Sequence, residues 1–253
     1  KNMNNVLVIG DSCRDVYISG SVDRISPEAP VPVFKQLKIT ENDGMVLNVL
    51  KNLSAFDINV TCFTQKEKIT KTRFIDIKSN QHLIRLDEET EYITPLNLKN
   101  INPSNYSSLI ISDYDKGFLT FDICEELCSL FKDKNIFVDS KKKNLSCFKD
   151  CIIKINDLET ENAFNINDSN IVITTLGSKG ARFKNRIFKS RKVDVFDVCG
   201  AGDVFLASLY YHYSIDNDIE NAINFANLCA GFSVTKPGVY VLTKNDIEKI
   251  KAH

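Results

Sequence analysis

The 253-residue sequence predicts an α/β fold: a three-layer sandwich around a mainly parallel central sheet, with a small β-rich lid. Two observations predict the sandwich. Short apolar runs such as Val6-Leu7-Val8-Ile9 and Leu109-Ile110-Ile111 have the unbroken hydrophobicity of strands covered on both faces. They alternate with amphipathic helical stretches, the pattern of βα units. A third observation predicts the lid, because segments at about 14–40 and 72–90 are proline-containing or alternate apolar and polar residues as half-buried strands do. Residues 1–253 are read as a single domain, long enough for one large core and short for two.

Composition narrows the class. A net charge of -1 gives no pull toward nucleic acid. No apolar run approaches the ~20 residues that span a bilayer. The leading residues 1–5 run into a strand rather than a signal-peptide core, so a cytoplasmic protein is expected. The eight cysteines include two close pairs, Cys124/Cys128 and Cys147/Cys151. The first pair shares a helical face with Phe121, Leu127 and Phe131 in a helix expected over 121–134, which is core packing rather than a zinc site.

In chain order, Val6-Leu7-Val8-Ile9-Gly10-Asp11 is a buried strand closed by Gly-Asp, and ligands gather at the carboxyl ends of such strands. Asp11 and Asp15 are suited to accept hydrogen bonds from sugar hydroxyls, or to cap a loop. Residues 23–33 hold three prolines, which exclude helix and fit an edge strand or an extended flap. A helix is expected over 44–56, with Asn48 interrupting its apolar face. The strand at 60–64 is followed by polar residues too few for a crossover between parallel strands, so the layer on that flank is expected to be thin. Strands at 109–113 and 136–139 lead to Lys116 and Lys141, two lysines that either are solvated or hold a substrate phosphate. Ile152-Ile153-Lys154-Ile155 runs into Asn156-Asp157-Leu158-Glu159, and the strand at 171–174 runs into Thr175-Leu176-Gly177-Ser178-Lys179-Gly180. Helices are expected over 219–234 and 247–251.

Asp197-Val198-Cys199-Gly200-Ala201-Gly202-Asp203 precedes the apolar run 204–211, which reads as a buried helix. Two glycines at a helix start leave backbone N–H groups open to an anion. Asp203 beside them is placed to take a proton from an attacking hydroxyl. The same residues also suit a tight turn with a capping aspartate.

Asp-x-x-Gly-Ala-Gly-Asp at 197–203 resembles the signature of the ribokinase-like (PfkB) sugar kinases. The resemblance implies Asp203 as catalytic base and Gly200, Ala201 and Gly202 as the anion hole. Arg-Ile-Ser-Pro-Glu-Ala-Pro-Val-Pro-Val at 24–33, Gln-x-Leu-x-Arg-x-Asp at 81–87 and Ser-Asp-Tyr-x-Lys-Gly at 112–117 are similar to the bacterial heptose 7-phosphate kinases of ADP-heptose and surface-glycan precursor synthesis. From this resemblance follow several expectations. The substrate is a sugar phosphate contacted by Asp11, Asp15, Gly44, Asn48, Lys116 and Lys141. ATP lies at Asn156, Glu159, Thr175, Gly177, Gly180 and Asn227, with Mg²⁺ near Glu159 and a monovalent cation such as K⁺ in attendance. Two lids pair in a homodimer. The sequence departs from the pattern at Asp43, where the family has glycine and where the aspartate either contacts the sugar or blocks it. It departs again after Thr64, where a helix and strand are missing. No counterpart of the adenylyltransferase half found in bifunctional members is expected.

Overall fold

The computed structural model describes residues 5–252; the expectation placed on residues 1–4 lies outside them. The elements in chain order are β1 (Asn5–Gly10), β2 (Ser12–Ile25), β3 (Pro32–Met45), α1 (Val46–Ala55), β4 (Asn59–Phe63), β5 (Thr70–Asp76), β6 (Gln81–Glu88), β7 (Ser108–Asp113), α2 (Phe121–Leu130), β8 (Asn135–Ser140), β9 (Ile152–Asn156), α3 (Asp157–Asn162), β10 (Ile171–Thr175), β11 (Ala181–Phe183), β12 (Arg186–Phe188), α4 (Ala201–Asp216), α5 (Ile219–Ser233) and α6 (Lys244–Lys251). The main sheet has the order β12-β11-β10-β9-β8-β7-β1-β4, parallel from β10 to β4 and antiparallel at β11 and β12.

The strand period of two builds the layers. Leu7, Ile9, Leu109, Ile111 and Val138 pack on one face against Cys124 and Leu127 of α2 and Phe131 just beyond its end. Val6, Val8, Ile110 and Phe137 pack on the other against Val49 and Leu53 of α1, Phe205 and Leu209 of α4, and Ala226 of α5. All the parallel strands therefore deliver their carboxyl ends to one edge of the sheet, where the site forms.

The lid is a second sheet of order β3-β2-β5-β6, its first part running over 12–45 where 14–40 was expected and its second over 70–88 where 72–90 was expected. Residues 23–33, expected as an edge strand or flap, include the tip of the long β2–β3 hairpin: Ser26 N–H donates to Val31 O at 2.9 Å, and β3 resumes at Pro32. The helix expected over 44–56 begins at Val46, because Gly44 still pairs with Cys13 and Met45 turns the chain at φ 55°. The helix over 121–134 stops at Leu130. After β4 the chain passes to β5 in the lid, so no crossover is needed. β4 is left as an edge with most of its residues half-buried, the thin flank expected. Cys124, Cys128, Cys147 and Cys151 are all buried free thiols. Among the described residues no group of three or more His, Cys, Asp or Glu side chains is arranged to hold a metal, and no helix is long and apolar enough to cross a membrane.

Candidate active site

The start of α4 is set by Gly200, which caps the helix in the left-handed conformation at φ 76°. A Cβ there would come within 2.6 Å of Asn48 Nδ2, so both the turn and the approach require glycine. Asp197 pins the preceding loop, accepting from Cys199 N–H at 2.9 Å and Gly238 N–H at 3.1 Å. The helix start opens on a cavity of about 830 Å³ lined by Ala201 and Gly202 together with Thr175, Gly177, Gly180 and Asn227. That volume suits a nucleotide-sized ligand.

Asp203 stands one helical position beyond Gly202, 3% exposed. Asn48 Nδ2 donates to its Oδ2 and the Tyr114 hydroxyl to its Oδ1, each at 3.1 Å. Burial raises its pKa to about 6, against the hydrogen bond from Asn48, with Asp139 raising it further and Lys154 lowering it. A carboxylate poised near neutrality and held from two sides is equipped to accept a proton.

On the lid side, Asp11 at the end of β1 accepts from Tyr114 N–H at 2.7 Å through Oδ2, while its buried Oδ1 has no hydrogen-bond partner among the described residues. Burial raises its pKa to about 6 too, with the Tyr114 amide opposing. Asp15 lies in β2 and is ion-paired with Arg73 of β5, both buried. This carboxylate therefore braces the lid, and Gly44 makes room for it: a Cβ at 44 would meet Asp15 Oδ2 at 2.0 Å. Asp43 points away, 2.8 Å from Lys51 on α1 and half-exposed, so it neither contacts nor blocks the space beneath the lid.

The two lysines separate. Lys116 pairs with Glu89 at 2.7 Å, whereas Lys141 bridges Asp139 at 3.1 Å and Glu159 at 2.6 Å, with its ammonium 5.3 Å from the Tyr114 ring. Asn156 and Glu159 form a reciprocal capping box at the start of α3, each bond 2.8 Å. Glu159 thus offers one carboxylate, already shared with Lys141; this matches a Mg²⁺ that arrives held mainly by nucleotide phosphates and water. Gly177 and Gly180 have φ of 58° and 99°, and a Cβ at Gly180 would sit 2.0 Å from Phe188 O. Asn227 lines the same cavity, its amide donating to Phe188 O at 2.8 Å.

Residues 48–245 match the pfkB family carbohydrate kinases. The chain belongs to this family. It is a sugar kinase of ribokinase-like fold. Its sequence is 29% identical to the bifunctional protein HldE of Campylobacter curvus, over 97% of this chain and 64% of that protein. It is 31% identical to that of Aliarcobacter butzleri, over 96% and 63%. The kinase therefore spans about 64% of the length of these curated relatives. The ribokinase of Thermotoga maritima superposes with TM-score 0.71 at 16% identity, covering 99% of this chain and 100% of that one. Phosphofructokinase-2 of Escherichia coli, in complex with potassium, gives 0.72 at 14%, covering 100% and 99%. The ribokinase of Cryptococcus neoformans, in complex with ADP, gives 0.68 at 13%, covering 97% and 99%.

In this pfkB kinase the structure adds residues to which sequence reasoning gave no role. Tyr114 is one, since a tyrosine after a strand carries no sign that its hydroxyl reaches α4. Lys154 and Asp139 are a buried ion pair at the floor of the site. Lys154 had a readable signal, a lysine inside the otherwise apolar strand β9.

Proposed function

We propose that the kinase transfers the γ-phosphoryl group of Mg²⁺-bound ATP to the anomeric hydroxyl of a sugar phosphate, a D-glycero-D-manno-heptose 7-phosphate, for surface-glycan precursor synthesis. The observation that carries this reading is Asp203, buried at the glycine-lined start of α4, next to Gly202 of the cavity wall and held by Asn48 and Tyr114. ATP occupies the cavity with its phosphates toward Gly200, Ala201 and Gly202. The sugar lies between Asp11 and Asp203, and the orphaned Oδ1 of Asp11 accepts one of its hydroxyls. Asp203 takes the proton of the attacking hydroxyl as the sugar oxygen bonds to phosphorus and the bond to ADP breaks. Backbone N–H groups at the helix start hold the equatorial oxygens. The heptose assignment rests on the motif at 24–33 and on the HldE relatives. With Asp43 turned to Lys51, the departure at that position does not oppose it.

The lid supports a homodimer. Ile39, Ile18, Phe74 and Ile84 are in register across β3, β2, β5 and β6, a row on the face opposite the buried Asp15, Tyr17 and Arg73. Ile39 and Ile84 are 48% and 62% exposed. A second copy of the lid covers this row and the outer edges.

A coupled ADP-release assay with heptose 7-phosphate, fructose 6-phosphate and unphosphorylated hexoses tests the function. Preference for the heptose phosphate is expected. Faster turnover with another sugar replaces the substrate, and no sugar-dependent ADP release with any of them overturns the reading.

A further inference from the structure

Two thiols meet at the edge of the sheet opposite the proposed active site. Cys128 lies in the last turn of α2 and Cys151 is the residue before β9, whose other end carries Asn156. The two are 23 positions apart in the chain, yet their sulfurs are in contact at 3.6 Å, and both are free. The frame on one side is fixed, because Cys151 N–H donates to Asn170 Oδ1 at 2.9 Å and its carbonyl accepts from Ile171 N–H at 2.8 Å. Cys128 is 6% exposed, beside the exposed Ser129 and Leu130, and Cys151 is 1% exposed behind it. A second pair, Cys124 and Cys147, also shares a hydrogen bond, but both residues are 0% exposed, and that bond together with burial pushes the Cys124 thiol up. Cys128 differs. The hydrogen bond from Cys151 outweighs burial and holds its thiol below the ordinary value. Thiols are oxidised through the thiolate, so the pair at the margin of the core has the more reactive sulfur and the shorter path for an oxidant.

We propose that Cys128 and Cys151 form an oxidation site for small hydroperoxides, and that the resulting disulfide fastens the end of α2 to the start of β9. The Cys128 thiolate attacks the terminal peroxide oxygen. The oxygen–oxygen bond breaks, an alcohol leaves with the thiol proton, and Cys128 becomes a sulfenic acid. The Cys151 sulfur, already in contact, then attacks the Cys128 sulfur. The sulfur–sulfur bond forms as the sulfur–oxygen bond breaks, and the hydroxyl leaves as water with the Cys151 proton. Two thiols thus lose two electrons and two protons, and one hydroperoxide is reduced to an alcohol and water. The bridge closes a loop between two elements of the core, which narrows the unfolded ensemble and raises Tm by roughly 5–10 °C. A thiol reductant reverses it.

The test treats the fully reduced chain with hydrogen peroxide, blocks the remaining thiols by alkylation and maps the linked peptides by mass spectrometry. Cleavage after lysine and after glutamate separates the four cysteines, since Glu125 and Glu126 lie between Cys124 and Cys128, and Lys149 between Cys147 and Cys151. The expected product is a Cys128–Cys151 peptide that dithiothreitol splits, formed together with a rise in Tm that the reductant also reverses. In Cys151→Ser the bridge is lost and dimedone, which captures sulfenic acids, labels Cys128. A bridge between Cys124 and Cys147 in place of the expected one overturns the proposal. So does oxidation of the parent to sulfinic acid with no bridge at Cys128. A Cys128–Cys151 bridge that leaves Tm unchanged or lowers it overturns the fastening. The parent chain alone yields these results, so they stand even where a cysteine variant does not fold.

Discussion

Asp203→Asn is expected to abolish transfer and at the same time stabilise the fold above pH 6. Burial lifts the Asp203 pKa from 3.8 to about 6, so the folded protein resists the charged form that catalysis needs. A raised carboxylate pKa costs stability in full above the folded value and nothing below the unfolded one. The gap is roughly 2 units, or about 3 kcal/mol at pH 8. The amide keeps one acceptor for Asn48, and the Tyr114 hydroxyl can turn to accept from the new NH₂, so about 1 kcal/mol is lost in hydrogen bonding. The net gain of about 2 kcal/mol corresponds to a rise in Tm of roughly 4–8 °C for a chain of this size. Thermal melts of parent and variant at pH 8 and pH 4.5 read it directly. The variant should melt higher at pH 8, and the gap should shrink toward pH 4 as the parent carboxyl protonates. A variant that melts lower at pH 8, or a gap that does not change with pH, refutes the electrostatic account of this residue.

The remaining predictions concern the base, the lid and the dimer. For the parent, kcat/KM should fall as pH drops through about 6, where Asp203 and Asp11 protonate; Tyr114→Phe, which removes a hydrogen bond that lowers the Asp203 pKa, should move this limb upward, and an unmoved limb contradicts the contact. Gly44→Ala should lower Tm by several degrees, because its Cβ would lie 2.0 Å from the buried, ion-paired Asp15 carboxylate and 2.7 Å from Cys13 Sγ; an unchanged melt in a chemical or thermal scan would show that the hairpin yields. Light scattering should give twice 28.6 kDa for the parent and a monomer for Ile84→Asp, which puts a charge in the exposed lid row; a monomeric parent removes the lid-pairing proposal.

The sandwich was legible because its strands are unbroken apolar runs buried on both faces, and Gly200 to Asp203 was legible because few motifs place two glycines and an acid at the head of an apolar helix. Element ends were less so. Gly44 and Met45 look like a helix start, yet pairing with Cys13 across the hairpin keeps Gly44 in β3, and local sequence carries no trace of that distant strand. The assignment of Asp15 to a hydroxyl overlooked Arg73, 58 residues away, which becomes its neighbour through the parallel pairing of β2 with β5. Lys116 and Lys141 sit at corresponding strand ends, but the side chains that meet them, Glu89 and Glu159, come from separate segments and part their roles. Tyr114 shows the same limit, because its contact with Asp203 spans 89 residues.

Phosphoryl transfer from ATP to a sugar hydroxyl, with Asp203 as base, is the proposal on which these predictions depend. Phosphorus-31 NMR of the parent and Asp203→Asn with ATP, Mg²⁺ and heptose 7-phosphate tests it most directly. The parent should convert ATP to ADP with a new anomeric phosphate resonance beside the retained 7-phosphate, and the variant should leave both substrates unchanged. Release of inorganic phosphate without the anomeric signal, or the same sugar bisphosphate formed at a comparable rate by Asp203→Asn, contradicts it.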